Sequence, residues 1–73
     1  MSKHTDWEAL AANTLKAELK RKGVTYAKLV EMLAAIGISE KEANVANKLS
    51  RGKFSAAFML QCLKAIGVEK LQL

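Results

Sequence analysis

Four glycines divide this chain into helix-length pieces, and their spacing constrains the fold more than any other feature. Gly23, Gly37, Gly52 and Gly67 each close a stretch dominated by Ala, Leu, Lys and Glu, and no proline interrupts any of them. A glycine just past a helix end takes the left-handed conformation at little cost and lets the last carbonyls find donors. Val24, Ile38 and Val68 follow three of these glycines and supply the apolar residue that a Schellman turn packs. Start signals alternate with the stops. Thr5-Asp6-Trp7-Glu8 and Ser39-Glu40-Lys41-Glu42 fit the capping box, in which hydroxyl and carboxylate each satisfy a free backbone N–H. Thr25 and Ser55 read as N-caps with hydrophobic staples, Val24 onto Leu29 and Phe54 onto Met59.

These signals predict helices over 6–22, 26–36, 40–51 and 56–66. The expected fold is an all-α, compact four- to five-helix bundle, one domain over 1–73 with flexible ends at 1–5 and 69–73. VEKLQL at the C-terminus is long enough for a short extra turn. The first helix carries Trp7, Ala11, Leu15 and Leu19 as one stripe, with Trp7 stapled onto the core. The second buries Leu29, Leu33 and Ile36, flanked by Val30 and Met32. The third has a narrow apolar edge of Val45, Ala46 and Leu49, while the fourth is apolar almost all round, broken by Gln61 and Lys64. TYAKLVEMLAAIGI (25–38) and SAAFMLQCLKAIGV (55–68) align without gaps at an offset of 30, an echo read as shared cap-and-stripe grammar.

A chain of 73 residues buries only roughly 60% of the surface its unfolded form exposes, so association is a natural supplement to its core. The apolar fourth helix, extended by Leu71 and Leu73, points to a homodimer. No run approaches the roughly 20 apolar residues of a membrane span, and MSKHTDWE does not resemble a signal peptide, so a cytoplasmic protein without a membrane partner is expected. The single Cys62 excludes an intramolecular disulfide and a multi-cysteine zinc site. Set in AAFMLQCLKAI, with His4, the chain's one histidine, near the terminus, it reads as a small buried hydrophobe. Glu42 is accounted for by capping and Glu18 by pairing with Lys22 at i+4. Phosphate-cradling glycine loops and HExxH are absent. No enzyme activity, catalytic residue, cofactor, metal site or small-molecule substrate is therefore expected.

Charge has a more specific message. Of the net +5, residues 16–28 carry Lys16, Lys20, Arg21, Lys22 and Lys28 against Glu18, and residues 41–53 carry Lys41, Lys48, Arg51 and Lys53 against Glu42. Residues 29–40 between them hold only Glu31 and Glu40. Such clustering suits a polyanionic partner, and a solvated basic surface is the plainer reading. The third helix adds amides to its cations. Asn44, Asn47, Lys48 and Arg51 recur at i, i+3, i+4 and i+7, away from the Val45/Leu49 edge. Asn can bond adenine through two atoms, and Lys or Arg can take guanine or phosphate. Lys41, Asn44, Asn47 and Lys48 are the candidate contacts to bases; Lys20, Lys22, Tyr26, Lys28, Arg51 and Lys53 are the candidates for phosphates. Asn47 has a second reading, as a cap bonding backbone near Arg51. Tyr26 equally fits a half-buried helix start, and Phe54 and Phe58 fit the core better than a base-stacking platform.

With these residues in place, the chain resembles the Cro/repressor-type (lambda-repressor-like, XRE) helix-turn-helix domains over roughly residues 15–68. LKAELKRKGVTYAKLVEML is similar to that family's opening helix, its turn and the start of its second helix. NKLSRGKFSAAFMLQCLKAIGV is similar to the end of its recognition helix, its Arg-Gly turn (Arg51, Gly52, Lys53) and its core helix. The chain also resembles a small bacterial family of uncharacterised domains sharing an NK-[IL]-x-RGKFSA-x-F core. It departs from the repressor pattern in one place: AAI (34–36) lengthens the second helix, and Gly37 to Gly52 spans about three residues more than that pattern. The resemblance implies a lambda-repressor-like helix-turn-helix that reads double-stranded DNA, a small transcriptional regulator. The alternative is a protein–protein interaction module that uses the apolar fourth helix and C-terminal tail.

Overall fold

The computed structural model describes residues 6–73 and contains α1 (Trp7–Lys22), α2 (Tyr26–Ala35), α3 (Glu42–Arg51) and α4 (Ala56–Ala65). There is no strand among the described residues, so the chain is a small all-α bundle. Residues 69–73 follow α4 without forming a further helix. The cap assigned to Thr5, the position of His4 and the expected flexible end at 1–5 lie outside the described residues.

Three helices stop as their sequence asks. Val24, Ile38 and Val68 each donate a backbone hydrogen bond of 2.9 Å to the carbonyl five residues back (Leu19, Leu33 and Leu63), which is the Schellman closure. α3 ends more simply, with the Gly52 N–H donating to Lys48 O at 2.9 Å. Gly52 has φ of 70°, and a Cβ there would collide with the backbone carbonyl of Glu8 in the first turn of α1. Three helices also start on side-chain caps. Asp6 accepts from Ala9 N–H at 3.0 Å, Thr25 from Lys28 N–H at 3.1 Å and Ser55 from Phe58 N–H at 3.0 Å.

α3 is the exception. It begins at Glu42, two residues later than the sequence predicts, and its N-cap Lys41 makes no side-chain cap bond. The Ser39–Glu42 capping box does not form. Glu40 is drawn instead to Lys48, eight residues on, and the chain stays extended through Lys41.

α1 and α2 each pack against both α3 and α4; α1 also meets α3 directly, and α4 in turn pairs with α2. Exchanging α1 with α3 and α2 with α4 leaves this pattern unchanged. The offset-30 echo is therefore architectural, since α2 and α4 are both ten residues long and pack on one another. The core between them is Leu15, Leu19, Leu29, Leu33, Val45, Leu49, Phe58, Cys62, Leu63 and Ile66.

Two residues expected inside lie outside. Trp7 is 72% exposed in the first turn of α1; Ala12, rather than Ala11, completes the buried stripe of that helix. Ile36 is 47% exposed at the C-cap of α2. Glu18 is buried, and it accepts from Arg21 Nε at 3.1 Å and Nη2 at 2.6 Å rather than pairing with Lys22. That ion pair is what allows a carboxylate to be buried here.

Candidate nucleic-acid interface

Val45 and Leu49, both fully buried, are the two residues that seat α3 on the rest of the bundle. Helical geometry then fixes what the far side presents. Glu42, Ala43, Asn44, Asn47, Ser50 and Arg51 are all exposed, and Lys41 precedes them in solvent. Among the described residues, neither Asn44 nor Asn47 spends its amide on an internal hydrogen bond, so the reading of Asn47 as a cap near Arg51 finds no bond to rest on. Ala43 and Ser50 share this face and were not singled out from sequence. The helical period through Asn47 identifies both, because they lie four residues before it and three after.

Lys48 is placed differently from its neighbours. Its ammonium lies 2.8 Å from Glu40 Oε2 and 4.3 Å from the centroid of the Phe58 ring, so it faces the bundle. Glu40 is nearly covered, with a side chain 13% exposed. Cys62 lies within reach of both charges: burial pushes its thiol up from 9.0 to about 11, Glu40 adds to the rise and Lys48 opposes it. A thiol held protonated in this way is a poor nucleophile.

The candidate phosphate contacts fall into two groups along α1. Lys16, Lys20, Thr25 and Tyr26 line a shallow cleft of about 340 Å³ at the start of α2, where Tyr26 is half-buried. Lys16 also borders a second, more polar cleft of about 210 Å³ with Asn13, Ser50 and Arg51, where Asp6 and Glu8 offset the two cations. Lys16 thus bridges Tyr26 and Arg51, a role that its place in a run of lysines did not reveal. Lys22 and Lys53 are exposed beyond these clefts, and Lys28 pairs loosely with Glu31 at 3.5 Å, both side chains in solvent. Such an exposed pair is easily exchanged for a stronger anion.

Among the described residues, no group of three or more His, Cys, Asp or Glu side chains is placed to hold a metal ion. None of their buried side-chain polar atoms lacks a hydrogen-bond partner. No helix of the described residues is long and apolar enough to cross a membrane.

Fold and surface together define a small all-helical domain with an open, amide-bearing helix, a lysine-lined cleft between α1 and α2, and a mixed-charge cleft where α1 meets the end of α3. The family model for Domain of unknown function (DUF6471) matches residues 7–71, and the chain belongs to that family. No curated protein and no solved structure matches it.

Proposed function

We propose that this chain is a DNA-binding domain of the helix-turn-helix kind, a small cytoplasmic transcriptional regulator that presents α3 to the major groove of duplex DNA. The observation that carries the reading is the isolation of α3's outer face. Val45 and Leu49 hold the helix, and Lys41, Asn44, Asn47 and Arg51 stand in solvent, without side-chain partners among the described residues. Lys41, Asn44 and Asn47 read base edges; Arg51 and Lys53 at the helix end, with Lys16, Lys20, Lys22, Tyr26 and Lys28, hold phosphates. Lys48 acts in this scheme as a positioning residue, because its ammonium is engaged with Glu40 and Phe58. Two copies of the domain read a two-fold-related site.

Titration of labelled random-sequence duplex DNA by fluorescence anisotropy, at several salt concentrations, tests the proposal. Affinity should fall linearly with salt on logarithmic axes, with a slope set by the number of neutralised phosphates. Binding that is absent at low salt, or insensitive to salt, rejects it.

A further inference from the structure

We propose that the groove between the end of α2, α4 and the C-terminal tail is a self-association surface, occupied by the same groove of a second copy about a two-fold axis. Ile36, Leu60, Val68 and Leu71 line this groove, which has a volume of about 460 Å³. Of the six large hydrophobic residues exposed among the described residues, Ile36, Leu60 and Leu71 border it, and Leu73, 94% exposed, follows in the tail. Concentration of exposed apolar side chains at one place marks an interface rather than ordinary surface.

The internal repeat shows that this apolar surplus is local. At the offset of 30, Leu60 corresponds to Val30 and Ile36 to Ile66. Val30 packs against the core and Ile66 is 6% exposed, whereas Leu60 is 65% and Ile36 is 47% exposed. These two large apolar residues, each without the cover of its counterpart, thus fall in one groove.

The occupant is identified by self-complementarity. A two-fold interface must carry hole and knob on the same patch, because each copy supplies both. Here the groove is the hole, and Leu60, 65% exposed at its border, is the knob. The charges follow the same rule. Lys64 and Glu69 are the two charged residues lining the groove, one of each sign, so a two-fold axis sets Lys64 of each copy toward Glu69 of the other. A strongly acidic partner would meet Glu69 as well as the single cation Lys64, whereas the lysine-lined cleft lies along α1.

The inference supplies the dimer of the DNA reading but is tested without DNA. Sedimentation velocity of the full chain should show a concentration-dependent shift from one chain to two by about 100 μM. Leu60→Asp should weaken association by about tenfold or more, with the helical circular dichroism spectrum retained because Leu60 is exposed. Leu60→Gln repeats the test should the aspartate variant fail to fold. Lys64→Glu alone and Glu69→Lys alone should each weaken association, and the two together in one chain should restore it. A parent that stays monomeric at about 100 μM, Leu60 variants that associate like the parent, or a double charge exchange that stays dissociated would overturn the proposal. Salt-sensitive duplex binding by a monomeric parent would leave the DNA reading standing and the dimer refuted.

Discussion

The ammonium of Lys48 sits between Glu40 Oε2 and the face of Phe58, so one side chain of α3 ties the α2–α3 connection to α4. α3 has no side-chain cap at its start, and only Val45 and Leu49 of its residues are fully buried. A charge-assisted hydrogen bond and a cation–π contact are what orient it further.

Glu40→Gln should accordingly cost about 1 kcal/mol, a Tm reduction of roughly 4–8 °C for a domain of this size. Lys48→Met keeps the stem over Phe58 and should cost no more. The two losses should not add. A double-mutant cycle by urea denaturation checks this, and a coupling energy near zero would mean that the pair does nothing for the fold.

The position of Cys62 gives the fold a pH dependence with a definite sign. Its thiol, ordinarily at 9.0, is raised to about 11 in the folded chain by burial and by Glu40. The unfolded chain therefore ionises this thiol first. The contribution of Cys62 to stability is whole below pH 9 and declines as pH rises from 9 to about 11. The fall in Tm between about pH 8 and about pH 10.5 should be shallower in Cys62→Ala than in the parent, on top of a uniform loss from the cavity. Equal slopes in the two chains would place the alkaline decline elsewhere.

Gly23 and Gly52 separate two costs that a helix-closing glycine can carry. Both have positive φ, 69° and 70°. A Cβ at Gly23 meets open space, whereas at Gly52 it meets the Glu8 carbonyl. Gly23→Ala should cost about 1 kcal/mol for its backbone strain alone. Gly52→Ala should cost at least about 2 kcal/mol more, since α1 and α3 must part to admit the methyl group. Equal midpoints in urea for the two variants would show that the contact yields freely.

Much of this architecture was legible because helix ends are written locally. The four glycines and the caps Thr25 and Ser55 act within three to five residues, so the helices follow from neighbours in sequence. What failed was extrapolation past the ends. The stripe of α1 extends in sequence to Trp7 and that of α2 to Ile36, but both side chains stand exposed at the helix ends. The start of α3 was misplaced for the opposite reason. Ser39 and Glu42 carry a valid local signal, but Glu40 is committed to Lys48, a partner eight residues distant. The same bond turned Lys48 inward, and no helical wheel of α3 contains it. On the candidate interface, helical period alone placed Asn44, Asn47 and Arg51 on an open face, and it needed no knowledge of the fold. Lys16 was missed because its meaning depends on Tyr26 and Arg51 lying at either side of it.

The sharpest prediction for the proposed function divides the exposed cations and amides by what they should change. Asn44→Ala and Asn47→Ala should each cost about 1–3 kcal/mol at a selected specific duplex and little at random sequence, because bidentate amide contacts carry sequence information. Arg51→Ala and Lys53→Ala should weaken all duplexes alike and reduce the salt slope by about one counterion each. Lys48→Met should differ from both sets, lowering Tm while leaving the salt slope of the parent, since its charge is already neutralised by Glu40. Binding isotherms at three salt concentrations, with Tm measured on the same preparations, separate these outcomes. If Lys48→Met flattens the salt slope as Arg51→Ala does, then Lys48 leaves Glu40 for phosphate on binding. The engagement with Glu40 and Phe58 would then describe only the DNA-free chain. If none of the variants alters the binding of any duplex, α3 does not face DNA and the proposed function is wrong.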